Sequence, residues 1–328
     1  MRKRTYRPVK PWVAAGLALL FVLLAACCGT ALYAQQLLLQ TLDGRQSRAQ
    51  KQRVTSFSLR EQMVASQADT RVRGWLSVAD KENVAIRTRR GELRASLYHP
   101  VGVKEGKPWA LVLHGGLGTD RNQVLDIACA LSLEGYTVLT PDLYAHGTSD
   151  GVVSSLGLAD AQDVQAWCAW MAQERGASRI VLFGQDEGGF TALLAAAKGL
   201  PEQVRAVAAD SAYASVSERM LDLLYAGTGK ESGVQSLLLG AAYHLAHGVD
   251  AQEGDLLALL PGCDLPLMLL HGTGDSDVPA WHSEDLTKAG KNAQLFFAEG
   301  AAHGMARYAQ AEAYYAALMR FFEKAIST

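Results

Sequence analysis

The sequence predicts an α/β domain, a mostly parallel sheet with helices on both faces, carried behind an N-terminal transmembrane helix. Three observations predict it. From Gly106 onward, short apolar runs alternate with amphipathic stretches that end near glycines. Alternation of that kind builds a parallel sheet covered on both sides. Trp12–Tyr33 is a run of 22 residues without a charge, and about 20 apolar residues span a bilayer core as a helix. Charge also divides the chain. Residues 1–10 carry five bases and no acid, residues 11–107 hold 14 bases and 7 acids, and residues 108–328 hold 12 bases and 26 acids. The formal balance of −2 therefore hides a basic stem and an acidic body. Nucleic-acid binding wants its positive charge on the folded body, so it is excluded as a partner. With 49% hydrophobic and 20% charged residues, the composition excludes disorder, collagen-like repeats and a disulfide mini-scaffold.

Residues 1–11 read as a basic cytoplasmic tail and residues 12–33 as the anchor, with Trp12 and Tyr33 at the two interfaces. A cleaved signal is the competing reading. Leu24-Ala25-Ala26-Cys27 has the form of a lipoprotein box in which Cys27 would be lipidated. The apolar run continues past Cys27, which favours the uncleaved signal anchor. Either way the chain contacts membrane lipid. Arg2, Lys3, Arg4, Arg7 and Lys10 lie closer to the span than Arg45, Arg48, Lys51 and Arg53. The N-terminus is thus expected inside and the body outside, single-pass at the cell membrane. Cys129, Cys168 and Cys263 fall in apolar patterns and read as buried free thiols.

Residues 34–83 are polar with spaced leucines and read as a helical linker or stem. Residues 84–328 form the catalytic-type domain. Its strands are expected at Val84–Thr88, Leu93–Tyr98, Ala110–Leu113, Thr137–Thr140, Ile180–Phe183, Val204–Ala208, Leu267–Leu270 and Gln294–Ala298. Helical stretches include Arg121–Leu133 and Asp160–Met171. Residues 212–262 break the rhythm with apolar helical pattern and read as a cap over the C-terminal sheet edge, where open α/β folds bind ligands.

Four loops carry the chemistry. The strand at Ala110–Leu113 runs into His114-Gly115-Gly116, a turn that can aim backbone N–H groups at an oxyanion. Ile180–Phe183 runs into Gly184-Gln185-Asp186-Glu187-Gly188-Gly189 and then a helix, the context of a nucleophile elbow. His271-Gly272-Thr273-Gly274-Asp275 and Glu299-Gly300-Ala301-Ala302-His303-Gly304 follow. Elbow, acid, histidine is the chain order of an α/β-hydrolase triad.

On LVLHGG, PDLYAHGTSDG, VLFGQDEGG, VAADSAYASV, HGTGDSDVP and EGAAHG, the chain resembles the α/β-hydrolase superfamily over about residues 84–325. Within it, the likeness is to bacterial membrane-anchored serine aminopeptidase and lysophospholipase-like hydrolases. The resemblance implies Asp275 as triad acid and His303 as triad base, with backbone N–H groups near Gly116 and of Glu187 as oxyanion hole. One position departs: Asp186 stands where the family has Ser. A carboxylate cannot generate the alkoxide of acyl transfer. It can attack a saturated carbon, as in haloalkane dehalogenases and epoxide hydrolases, which use Asp in this elbow. Those families usually follow it with Trp, and epoxide hydrolases carry Pro in the first loop; here the residues are Glu187 and Leu117.

Two readings stay open. One is a hydrolase of a small or lipid-like apolar substrate through an Asp186–Asp275–His303 triad. The other is a catalytically silent homologue, a pseudoenzyme that binds or scaffolds. No cofactor is called for. No metal is expected, since neither His244 and His247 nor the acids near Asp186 have ligand spacing. Ser211 lacks an elbow's glycines, and His146 reads as closing the turn after Asp142. Oligomeric state is not legible.

Overall fold

The computed structural model describes residues 11–45, 59–100, 108–230 and 232–327. The strands are β1 (Asp80–Arg87), β2 (Glu92–His99), β3 (Trp109–Leu113), β4 (Thr137–Pro141), β5 (Ile180–Gln185), β6 (Val204–Asp210), β7 (Leu267–Gly272) and β8 (Ala293–Ala298). All eight lie in one sheet in the order β1-β2-β4-β3-β5-β6-β7-β8. β1 pairs antiparallel with β2, and β2 antiparallel with β4; the remaining pairs are parallel. Each strand predicted from the sequence is present. β1 starts earlier than expected because its register against β2 continues back to Asp80↔His99.

The helices are α1 (Pro11–Leu42), α2 (Leu59–Leu76), α3 (Leu125–Leu133), α4 (Asp160–Gln173), α5 (Glu187–Lys198), α6 (Val216–Thr228), α7 (Gly233–His247), α8 (Leu256–Leu259), α9 (Trp281–Ala289), α10 (Ala306–Ala309) and α11 (Ala311–Ser327). The sheet sorts its side chains with period two, so each strand feeds two cores. Leu111, Leu113, Leu182, Val207 and Leu269 pack with Trp167, Phe190 and Tyr243 on one face. Ala110, Val112, Val181, Phe183, Ala208 and Leu270 pack with Cys129, Tyr314 and Phe322 on the other. Burial on both sides explains why β3, β5 and β7 read as unbroken apolar runs. Cys129, Cys168 and Cys263 are buried free thiols.

Residues 212–262 hold α6, α7 and α8, inserted between β6 and β7. Helix α6 starts on a Ser215 hydroxyl that accepts the Glu218 N–H, and α7 on Ser232, which accepts from Gln235. Both end on glycines in the left-handed region, Gly229 and Gly248.

The stem differs from expectation. By length and composition α1 can cross a membrane, and Leu17, Phe21 and Leu24 are exposed along it. It does not end at Tyr33, however. Leu37, Leu38 and Leu42 continue the same helix into the core beside the cap. Asp43 then bridges to Val153, and the Arg45 guanidinium donates to the carbonyls of Ser149 (2.5 Å) and Gly151 (2.6 Å). Helix α2 is docked too: Val72 and Trp75 are buried, and Trp75 Nε1–H donates to Ser132 Oγ of α3 at 3.2 Å. Within the stretch expected as a helical linker or stem, Leu37, Leu38, Leu42, Val72 and Trp75 thus pack into the two cores. The leucines set among glutamines looked like a polar stretch because their burial depends on tertiary contacts with the cap. The basic tail before Pro11 and the bases Arg48, Lys51 and Arg53 lie outside the described residues. Cys27 is exposed on α1.

Candidate active site

The C-terminal edge of the sheet gathers the predicted loops. At the end of β5 the chain turns sharply, with Asp186 at φ +49° and ψ −114° before α5 begins at Glu187. Such a backbone costs about 1–3 kcal/mol and persists only where the surroundings enforce it. Two glycines allow it. A Cβ on Gly184 would lie 2.1 Å from the Gly188 carbonyl oxygen, and one on Gly188 would lie 2.3 Å from that of His114. The Asp186 N–H donates to the Asp210 carbonyl at 2.8 Å, which ties the elbow to β6.

The loop after β3 is set by buried His114. Its Nδ1–H donates to the Gly115 carbonyl (2.8 Å), and its Nε2 accepts the Leu143 N–H (3.0 Å), which assigns the proton to Nδ1. Burial first, then neighbouring His146, lowers its pKa to about 3, so it stays neutral. Gly115 N–H donates to Gln123 Oε1 at 2.6 Å, leaving Gly116 N–H aimed at the elbow. That N–H donates to Asp186 Oδ2 at 3.0 Å. The donor expected to serve a reaction's oxyanion is therefore engaged by the residue in the nucleophile position.

Asp275 accepts the His303 Nδ1–H at 2.8 Å on Oδ2, with His271 Nε2 3.2 Å away. Its Oδ1 accepts the Asp277 and Val278 N–H groups, both at 2.9 Å. Burial works to raise this carboxyl, but His271, His303 and Val278 hold it well below the usual range. On its other side His303 Nε2 lies 3.8 Å from Asp186 Oδ1 and 3.9 Å from Asp277 Oδ2. Burial opposes an imidazolium here, yet Asp186 and Asp275 together raise the His303 pKa well above its ordinary value. The loop bearing His303 is fastened from below. Gly304 N–H donates to Ser211 Oγ (3.1 Å), and buried Arg307 bridges the Gly304 carbonyl to Gln185 Oε1. Ser211 is thereby a structural hydroxyl.

Arg219, on the second turn of α6, is a site residue that sequence reasoning missed. It is buried, pairs with Asp277 through both terminal nitrogens (3.2 and 2.9 Å), and lies 3.9 Å from Asp186 Oδ1. Burial pushes the Asp186 carboxyl upward; Arg219, His303 and the Gly116 N–H outweigh it and bring the pKa down to about 2. Two adjacent carboxyls repel each other's charge, and here Glu187 alone bears the resulting rise. Glu187 is buried, accepts from Ser154 Oγ at 2.7 Å on Oε1, and leaves Oε2 without a hydrogen bond among the described residues. Burial, then the charges of Asp160 and Asp186, raise its pKa well above the carboxylate range. Its side chain points into the interior beside the elbow, while its backbone starts α5. Asp186 Oδ1 likewise makes no hydrogen bond among the described residues, although it faces two cations.

His146 is buried, with Nδ1 on the Tyr144 carbonyl at 2.9 Å. His244 pairs with Asp250 at 2.8 Å, away from His247. Among the described residues, no group of three His, Cys, Asp or Glu side chains is placed to hold a metal ion.

A mostly parallel sheet with a strained elbow, an acid loop and a histidine loop at one edge defines an α/β-hydrolase-fold protein. The family model for the prolyl oligopeptidase family matches residues 130–328. The chain belongs to the prolyl oligopeptidase family. The uncharacterized protein YfhR of Escherichia coli is 30% identical over 156 residues, 48% of this chain and 49% of that protein. The chain thus spans about half the length of the curated relatives it matches. Est1E from Butyrivibrio proteoclasticus superposes with a TM-score of 0.59 at 20% identity, covering 75% of this chain and 99% of that one. The Pyrococcus furiosus esterase Pf2001 gives 0.57 at 21%, covering 75% and 93%. A membrane phospholipase A described as a bacterial virulence factor gives 0.53 at 19%, covering 96% and 100%. At these identities the solved structures show the fold.

Proposed function

We propose that the protein is a membrane-anchored hydrolase that attacks a small or lipid-like apolar substrate with the Asp186 carboxylate. One observation carries the reading: His303 stands between Asp275 (2.8 Å) and Asp186 (3.8 Å) at an elbow that keeps its strained φ of +49°. Asp186 is ionised at neutral pH, and its Oδ1, without a hydrogen bond among the described residues, is assigned as the attacking oxygen. In the first step Oδ1 bonds to a saturated carbon as the bond from that carbon to its leaving group breaks, and the leaving group departs with the electron pair. The product is an alkyl ester of Asp186. The His303 imidazolium then gives its Nε2 proton to the departed leaving group or to solvent. In the second step water adds to the ester carbonyl while the neutral Nε2 takes its proton. The ester's acyl–oxygen bond then breaks, and the alcohol leaves with a proton returned by His303.

The resting imidazolium of His303 fits this order. Base catalysis is not needed for the first step. Esterification removes the Asp186 charge, and with it one of the two anions that hold the proton on His303. Oxyanion donors for the second step are the N–H groups of Gly116 and Glu187; Gly116 N–H already bonds Oδ2, the oxygen that becomes the ester carbonyl and then the oxyanion.

A second reading, a silent pocket that binds or scaffolds, draws on the engagement of Gly116 N–H by Asp186 and on the Arg219 pair. Single turnover in heavy-oxygen water, run over a panel of alkyl halides, epoxides and lipid-like analogues, separates the two. The nucleophile reading expects label in the Asp186 peptide. Product with an unlabelled peptide overturns the covalent route, and no product across the panel favours the silent pocket.

A further inference from the structure

The cap helix α7 carries apolar side chains that the body leaves uncovered. Val234 is 68% and Leu237 73% exposed on its first turns, while Leu239, Ala242 and Tyr243 on the opposite side are buried. The pair adjoins a further exposed apolar surface, and contiguous apolar patches mark protein or membrane contacts. The neighbouring element is α1. Gln235 Nε2 donates to Tyr33 Oη at 2.9 Å, so α7 begins at the level where the uncharged run of α1 ends. At its far end Tyr243 Oη donates to the Ser155 carbonyl, and the adjacent Ser154 N–H donates to the Leu42 carbonyl. The two helices therefore run side by side in the same direction. At about 1.5 Å per residue, Leu237 stands within about one turn of the Tyr33 level, and Leu245 about 12 Å further on.

We infer that the start of α7, through Val234 and Leu237, rests in the headgroup layer of the bilayer that α1 enters. The inference rests on the anchor reading of α1. The layer between hydrocarbon and water is about 5–8 Å deep on each side, which accommodates one turn and not three. Tyr33 is the interfacial aromatic that sets the depth. Since α6 bears Arg219 at one end and leads into α7 at the other, the cap would connect the site to the lipid surface. That is the arrangement a membrane-resident, lipid-like substrate needs.

The test uses the full chain, with Cys27→Ala and Cys28→Ala, in phosphatidylcholine–phosphatidylglycerol vesicles. An environment-sensitive fluorophore is attached in turn at Leu20→Cys, Val234→Cys, Leu237→Cys and Leu245→Cys. Expected are quenching of the 20, 234 and 237 labels by lipid-borne nitroxide, blue-shifted emission with loss of iodide quenching at 234 and 237, and strong iodide quenching at 245. Iodide quenching at 234 and 237 equal to that at 245, with position 20 still quenched from the lipid, overturns the inference and leaves the anchor standing. A position-20 label untouched by lipid nitroxide removes the anchor reading and the inference with it. Labels at 234 and 237 shielded from both quenchers identify a protein partner or second copy on this face, which also overturns it.

Discussion

His303 Nε2 and Asp186 Oδ1 face each other at 3.8 Å with no hydrogen bond between them. A serine hydroxyl in the same elbow would give the imidazole a proton to take; a carboxylate holds the proton on the imidazole instead. The distance is that of an ion pair without a hydrogen bond, and it decides which chemistry each half of the pair can do.

Replacing Asp186 with serine (Asp186→Ser) frees Gly116 N–H and removes one anion from beside His303. Turnover of a short-chain acyl ester is expected to rise by about 10²-fold over the parent, the scale of one restored oxyanion donor. Hydrolysis followed by chromophore release measures it. A folded variant with no gain shows that the hole cannot form around a neutral residue.

The variant His303→Gln separates the two proposed steps. Alkylation of Asp186 needs no base, so an adduct should accumulate to about one per chain with a reactive alkyl substrate. Intact mass and peptide mapping read it out. Continued turnover without an adduct would falsify the role given to His303.

Glu187 is a raised buried acid, so its contribution to stability is complete below its unfolded value of 4.5 and is lost as pH rises toward its folded pKa. Over that window stability falls by up to about 1.4 kcal/mol per pH unit from this group. Glu187→Gln removes the slope. Its melting temperature relative to the parent should therefore climb as pH rises above the unfolded value, as scanning calorimetry would reveal. Asp186 has the opposite sign. With its pKa lowered from 3.8 to about 2, its contribution is present above pH 3.8 and is lost as pH falls through 2.

Arg219→Met leaves Asp186 without its guanidinium in a buried setting, at a cost of about 3 kcal/mol by denaturant unfolding. The same change in an Asp186→Asn background should cost about 1–2 kcal/mol less, because the anion it served is gone. Equal costs in both backgrounds would assign the effect of Arg219 to Asp277 alone.

The central strands β3–β7 were legible because burial on both faces imposes continuous apolar runs, the edge strand β1 because its half-buried residues alternate with exposed ones, and the site loops because each follows a strand end with its glycines. The sequence also marked Asp186 as the departure from the family pattern. Arg219 was not legible. A single arginine on an amphipathic helix reads as a solvated face, and only the packing of α6 against the Asp275–Asp277 loop turns it inward. Nor was the fate of Glu187, whose side chain could have pointed to solvent until the position of Ser154 was known. The leucines of residues 37–42 were hidden for a similar reason, since their partners are supplied by the cap.

Helix α1 has a mechanical consequence. Its exposed apolar half and the half that carries Leu37, Leu38 and Leu42 into the core are one uninterrupted rod. A rod gives no swivel between what holds its first half and what is built on its second. Whatever embeds the first half sets the bearing of the sheet and the height of the elbow together. A tilt at one end is a tilt of the whole domain, so the direction in which Asp186 looks is a fixed property of how the chain is mounted.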